Sequence, residues 1–190
     1  MDIHLYALSL ERPLRADERE RLRALLPQAL RERKDASLCA CAMLRHAVRE
    51  LFSWETLPEI AAEEHGRPCF PAHREAHFSL SHSVGAVLVG VHDAPLGVDI
   101  ERLRPVRTAR LKAALGAASE RDFWQRWTAY ESRCKRRGVS AAARRDLRLP
   151  EDGGERLLPL GVFPDCAACV CTNSKINAVK LNYMTIDMLK

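Results

Sequence analysis

The stretch "LGVDIERL", Leu96 to Leu103, decides how the chain is read. In an extended strand its side chains alternate, so Val98 and Ile100 fall on one side and Asp99 and Glu101 on the other. Carboxylates two positions apart stand roughly 6.5–7 Å from each other at Cα and share a side. Like charges held there repel. Either that face is wet, or a hard cation sits between the two acids. Magnesium suits such a pair, because it takes one or two carboxylates and fills its shell with water and phosphate oxygens.

The flanking sequence gives this strand its neighbours. Before it, "HFSLSHSVGAVLVGVHD" (77–93) reads as a hairpin that turns near Ser83–Gly85. Phe78, Leu80 and His82 are in phase on one face, and Ser79, Ser81 and Ser83 on the other. His82 is either a satisfied core histidine or, with Ser81 near the turn, a donor to phosphate. After it, "ASERDFWQRWTAYESRCKRRG" (118–138) reads as a helix, with Ser119 as N-cap and Gly138 as stop. Trp127, Glu131 and Lys135 lie along one stripe of that helix. A surface Glu131–Lys135 ion pair explains two of them. The tryptophan argues instead for a face turned toward protein, where the acid can serve as ligand or base and the lysine as a phosphate partner.

Further out, residues 3–10 read as a buried strand, apolar on both faces. A helical region follows from about Ala16 to Phe52, divided near Pro27. "HGRPCFP" (65–71) carries the punctuation of a loop, as does 147–157 with Pro150 and "EDGGE". "CAACVCTN" and "AVKLNYMTIDML" read as two closing strands. The order strand, helix, strand pair thus occurs twice, which makes the chain α+β with two similar halves, 1–95 and 96–190. A ligand cleft is expected where the halves meet.

The chain has 190 residues, 47% hydrophobic and 29% charged, which suits a globular protein with a sizeable core. No apolar run approaches the roughly 20 residues of a membrane span. The start "MDIHLYALSL" lacks the pattern of a signal peptide, so a cytoplasmic location is expected. Seven cysteines, an odd number, are read as free thiols. The cluster at 166–171 is read as buried core, with a zinc site as the alternative. The net charge of +5 suits an acidic protein, a phosphate or a nucleic acid as partner. Aromatic residues make up 6% and form no stacking platform, which argues against nucleic acid. Neither a P-loop nor GxGxxG is present.

Taken together, "GRPCFP", "FSLSHS", "GVDIE" and "WTAYESRCK" resemble, in order and style, the Sfp-type 4′-phosphopantetheinyl transferases. The resemblance runs through almost the whole chain. It implies two similar halves, each a small antiparallel sheet packed with helices, with the active site between them. It implies coenzyme A as co-substrate, Mg²⁺ as cofactor, an acidic acyl or peptidyl carrier protein as partner, and a monomer. By motif, Asp99, Glu101 and Glu131 would be metal ligands, and Glu131 and Lys135 catalytic. Arg67, Ser81, His82 and Lys135 would contact the coenzyme, with Arg33 and Lys34 at its 3′-phosphate. Basic groups at Arg102, Arg104, Arg107, Arg110 and Lys112, and at Arg136, Arg137, Arg144, Arg145 and Arg148, are candidates for steering the carrier. Two features depart from the family pattern: Tyr130 stands where a lysine is usual, and the segment between Asp99 and Trp127 is short. They leave room for a homologue that binds coenzyme or carrier without transfer.

Overall fold

In a computed structural model of the protein, residues 1–63, 66–106, 109–139, 147 and 153–190 are described. The first strand, β1 (Ile3–Ser9), is apolar on both faces because it lies inside a sheet and between two layers. It pairs antiparallel with β5 (Ala86–His92) and parallel with β9 (Val179–Met184). With β4 (His77–Ser83) they form a sheet in the order β4-β5-β1-β9. A second, antiparallel sheet has the order β6-β8-β7, from β6 (Leu96–Arg102), β7 (Arg156–Leu160) and β8 (Cys166–Thr172). The short strands β2 (Ala61–Ala62) and β3 (Pro68–Cys69) pair with each other. The last strand therefore crosses back to complete the sheet begun by the first.

Two cores follow from the alternation. Tyr6, Leu8, Val87, Val89 and Val91 face α1 (Ala16–Ala24) and α2 (Asp35–Phe52), which contribute Leu22, Leu38, Met43, Leu44 and Val48. The opposite faces of β1 and β5, with Ile3, Leu5, Ala7, Ala86 and Leu88, meet Val98, Ile100, Ala168 and Val170 of the second sheet. Beyond that sheet lie α3 (Ala109–Ala114) and α4 (Glu120–Arg137), with Phe123 and Trp124 packed on Ala167. The layers run helix, sheet, sheet, helix, so Val98 and Ile100 fill the inter-sheet core while Asp99 and Glu101 turn toward α4.

The reading of α4 from its ends holds. Ser119 Oγ accepts a hydrogen bond from the Asp122 amide at 3.1 Å, and Gly138 takes φ +69° at the stop. Gly97 lets this helix lie directly on β6: a Cβ there would come within 2.0 Å of the Ser132 carbonyl oxygen and 2.5 Å of the Arg136 nitrogen. Both are backbone atoms, so any side chain would push α4 away. The loop expected at 147–157 ends earlier, because β7 begins at Arg156. Its Pro159 is accommodated because β7 is an edge strand. All of β8 is buried, and burial pushes the Cys169 thiol up to about 11 and that of Cys171 to about 12. These cysteines are core thiols.

Candidate active site

The two sheets present their edges, β4 and β6, to each other along one side of the sandwich. They are joined there by serine side chains. Ser79, Ser81 and Ser83 Oγ accept hydrogen bonds from the amides of Val98, Ile100 and Arg102, at 3.0, 3.2 and 3.2 Å. Ser81 Oγ also donates to Asp99 Oδ1 at 2.8 Å, and Ser83 Oγ to Glu101 Oε2 at 2.5 Å. The alternating serines and the alternating acids thus meet in phase.

Asp99 is 4% exposed. Its Oδ1 receives a second charge-assisted bond, from Lys135 Nζ at 2.7 Å. Its Oδ2 is buried and has no hydrogen-bond partner among the described residues. Half-buried Glu101 and Glu131 both take up protons more readily than ordinary glutamates. Burial is the main cause at each, and repulsion from Asp99 adds to it. The three acids expected as ligands therefore share one electrostatic environment. No three ligating side chains among the described residues are drawn close enough to form a ready metal cage. With no cation between them the carboxylates repel, and the Lys135 ammonium supplies the countercharge. An orphaned buried oxygen, two proton-hungry glutamates and an all-oxygen donor set fit a hard divalent ion.

The other expected residues surround this cluster. His82 is not a core histidine: it stands at the surface of β4, with Nε2 3.0 Å from Ser37 Oγ in the first turn of α2. Packing on one side and the nearby Lys135 charge lower its proton affinity. Arg33 and Lys34 are exposed and immediately precede α2, which brings them to the same helix start. Ser81, expected to touch phosphate, is 5% exposed, and its hydroxyl is committed to Ile100 and Asp99. Arg67 is held by Glu63 at 2.8 Å and by the Arg136 carbonyl at 3.1 Å. It lines a cavity of about 370 Å³ with Pro68, Ser79, Leu80 and Lys135. Glu101 also lines a second cavity, of about 400 Å³, with Val106, Leu111, Trp124 and Trp127.

Two residues that sequence reasoning missed are Ser37 and Glu155. Glu155, just before β7, is 7% exposed and sits among Arg133, Arg136 and Arg137 of α4. These guanidiniums overcome its burial and hold its carboxyl down to about 2. The described members of the second basic group, Arg136 and Arg137, are thus turned inward, while Arg144, Arg145 and Arg148 lie outside the described residues. In the first group Arg102 pairs with Asp165, Arg104 with Glu101 and Lys112 with Glu120, while Arg110 is exposed. Arg107 also lies outside the described residues. Tyr130 is buried, with its ring 6.0 Å from that of Trp127.

The fold and site define an α+β protein with a carboxylate-rich seam between two sheet edges, flanked by cationic and imidazole side chains. Among proteins of known activity, AcpT of Escherichia coli (strain K12), a 4′-phosphopantetheinyl transferase, is 34% identical over 139 residues, covering 62% of this chain and 68% of that protein. The 4′-phosphopantetheinyl transferase Sfp of Bacillus subtilis (strain 168) is 26% identical over 174 residues, covering 78% of each chain. The 4′-phosphopantetheinyl transferase ffp of Bacillus subtilis is 28% identical over 175 residues, again covering 78% of each. No family model matches the chain. The chain belongs to the 4′-phosphopantetheinyl transferase family.

Proposed function

We propose that the protein transfers the 4′-phosphopantetheine arm of coenzyme A to a serine of an acidic acyl or peptidyl carrier protein and releases 3′,5′-ADP. The observation that carries this reading is the buried Asp99, with Lys135 on one oxygen and no hydrogen-bond partner among the described residues on the other, in the field of Glu101 and Glu131. Asp99, Glu101 and Glu131 would hold Mg²⁺. When bound, the ion neutralises the pyrophosphate and the charge that develops on the leaving phosphate.

The chain's own residues do the positioning. Lys135 can turn from Asp99 to a phosphate oxygen, since its side chain is 30% exposed. His82, Ser37 and the start of α2 gather donors for the 3′-phosphate, with Arg33 and Lys34 beside them. Arg67 keeps the wall of the cavity next to Lys135 in place for the nucleotide end. In the reaction a bond forms between the serine oxygen and the phosphorus that bears the pantetheine arm. The bond from that phosphorus to the bridging oxygen breaks, and the electron pair leaves with 3′,5′-ADP. Glu131 takes the serine proton, a role its raised proton affinity suits.

The two halves, 1–95 and 96–190, divide the site, although β9 of the second half completes the sheet of the first. The first brings His82, Arg67 and α2, the second the acids and Lys135. The protein acts in the cytoplasm as a monomer on this reading, and seven free thiols suit a reducing compartment. No helix among the described residues is long and apolar enough to cross a membrane. The test is incubation with coenzyme A, Mg²⁺ and a panel of apo carrier proteins, followed by mass spectrometry. A phosphopantetheine adduct on the carrier serine is the expected result. Coenzyme binding without any adduct would favour a binding homologue, a reading to which the burial of Tyr130 lends weight because no lysine ammonium is available there.

A further inference from the structure

We propose that Ser79, Ser81 and Ser83 form a side-chain ladder that replaces backbone pairing between β4 and β6, and that Ser81 and Ser83 are positioning residues for Asp99 and Glu101 rather than contacts to phosphate. The second half of this inference rests on the transferase reading. β6 pairs with β8 through its odd-numbered amides, so those of Val98, Ile100 and Arg102 face the seam. At a buried edge such amides need partners. Each serine of β4 supplies one to the residue nineteen positions later. The constant offset means that the two strands run parallel in register, bridged by hydroxyls.

A serine hydroxyl has two acceptor sites and one proton to donate. In Ser81 and Ser83 the amide uses an acceptor site, so the proton is free for the carboxylate one residue earlier on β6. Opposite Ser79 that position is Gly97, which has no carboxylate and instead admits α4. The ladder therefore performs two tasks with one spacing: it closes the sandwich and fixes the rotation of both acids. At Asp99 the result is specific. Ser81 and Lys135 both occupy Oδ1, which leaves Oδ2 as the unpartnered oxygen. A phosphate at Ser81 would have to break two buried bonds.

The test compares the wild type, Ser81→Ala, Ser83→Ala and Ser83→Thr, the last of which keeps the hydroxyl. Amide hydrogen exchange by NMR reads the ladder without any ligand. Ser81→Ala should speed exchange at Ile100, and Ser83→Ala at Arg102, each more than at the other position, while Ser83→Thr restores protection. Thermal shift against Mg²⁺ at fixed coenzyme A reads positioning. The Mg²⁺ midpoint should rise about tenfold or more in Ser81→Ala. Coenzyme A affinity in EDTA should stay within about twofold of wild type, well short of the loss of a charge-assisted bond. Unchanged exchange at Ile100 would overturn the ladder. An unchanged Mg²⁺ midpoint would overturn the positioning role, and a fall in EDTA affinity for coenzyme A would return Ser81 to the phosphate. A wild type that shows no Mg²⁺-dependent response to coenzyme A would instead overturn the transferase reading and with it the positioning role, and the ladder would be judged by exchange alone.

Discussion

Removing the Lys135 ammonium tests the site most directly, because in the absence of a cation that group is what neutralises Asp99. Lys135→Met keeps the apolar stem and the helix propensity and deletes only the charge. Breaking a buried ion pair by removing one partner costs about 3–5 kcal/mol, and an exposed pair is worth about 0–1. Here the acid side chain is 5% exposed and the lysine side chain 30%, and Ser81 remains as a donor. A loss of about 2 kcal/mol lies between those limits. For a chain of this size that lowers Tm by about 4–8 °C.

The loss should be reversible by a divalent ion. A cation that takes the place of the ammonium stabilises the folded state by mass action, about 2.7 kcal/mol at one hundred times its Kd. Melting curves in EDTA and across a Mg²⁺ titration, for wild type and variant, measure both effects. The variant should start lower and gain more from Mg²⁺, because in the wild type the ammonium competes for the same carboxylate. Coenzyme A affinity should remain weakened even at saturating Mg²⁺, since the phosphate partner is gone. A variant that melts like wild type in EDTA would refute the countercharge argument. So would a loss of stability that Mg²⁺ cannot restore.

Three other outcomes are expected. Glu131→Gln should lower transfer at least roughly 100-fold, the scale of a lost acid–base group, measured as adduct formation per minute. Because the folded-state affinity of Glu131 for protons is raised, its charge opposes folding at neutral pH. The same variant should therefore melt at or above the wild-type temperature at pH 7 and lose that advantage below the usual glutamate range. Glu155→Gln should cost about 3–5 kcal/mol in urea unfolding at pH 7, since three guanidiniums lose their anion. Its carboxyl is held down to about 2, so the wild-type advantage is complete above pH 4.5 and fades as pH falls toward 2, which a pH series of melts reads. His82→Ala should weaken coenzyme A by about 1.5–3 kcal/mol and dephospho-coenzyme A by less, measured by calorimetry; equal losses would remove His82 from the 3′-phosphate.

Features set by neighbours along the chain were legible in the sequence. The caps of α4, the β4–β5 turn and the in-phase pair Asp99 and Glu101 each depend on residues a few positions apart, where helix and strand periods decide the outcome. Features set by partners distant in sequence were not. "AVKLNYM" announces a strand, but nothing in it says that β9 lies parallel to β1. "RLLPL" carries a proline that argues against a strand until the sheet order places it at an edge. Glu155 looks like one more loop acid until α4 brings three arginines to it.

The site divides along the same line. Its acids are readable because the strand period alone puts Asp99 and Glu101 on one side and the helix period puts Glu131 and Lys135 on one stripe. Their relation is not, since it is created where two sheet edges meet. There Lys135 bonds Asp99 while its charge also acts on Glu131, and Ser81 turns its proton to a carboxylate. The clue was nonetheless present as a phase match: serines at 79, 81 and 83 repeat with the same period as positions 97, 99 and 101. Two strands with matched polar periods, separated by a single antiparallel strand, are candidates to lie side by side and parallel. When one carries hydroxyls and the other acids, the hydroxyls are placed to aim the acids. The motif "SLSHS" before "GVDIE" is then one structural unit: Ser81 and Ser83 hydrogen-bond the two carboxylates, while His82 stands exposed on the opposite face of β4.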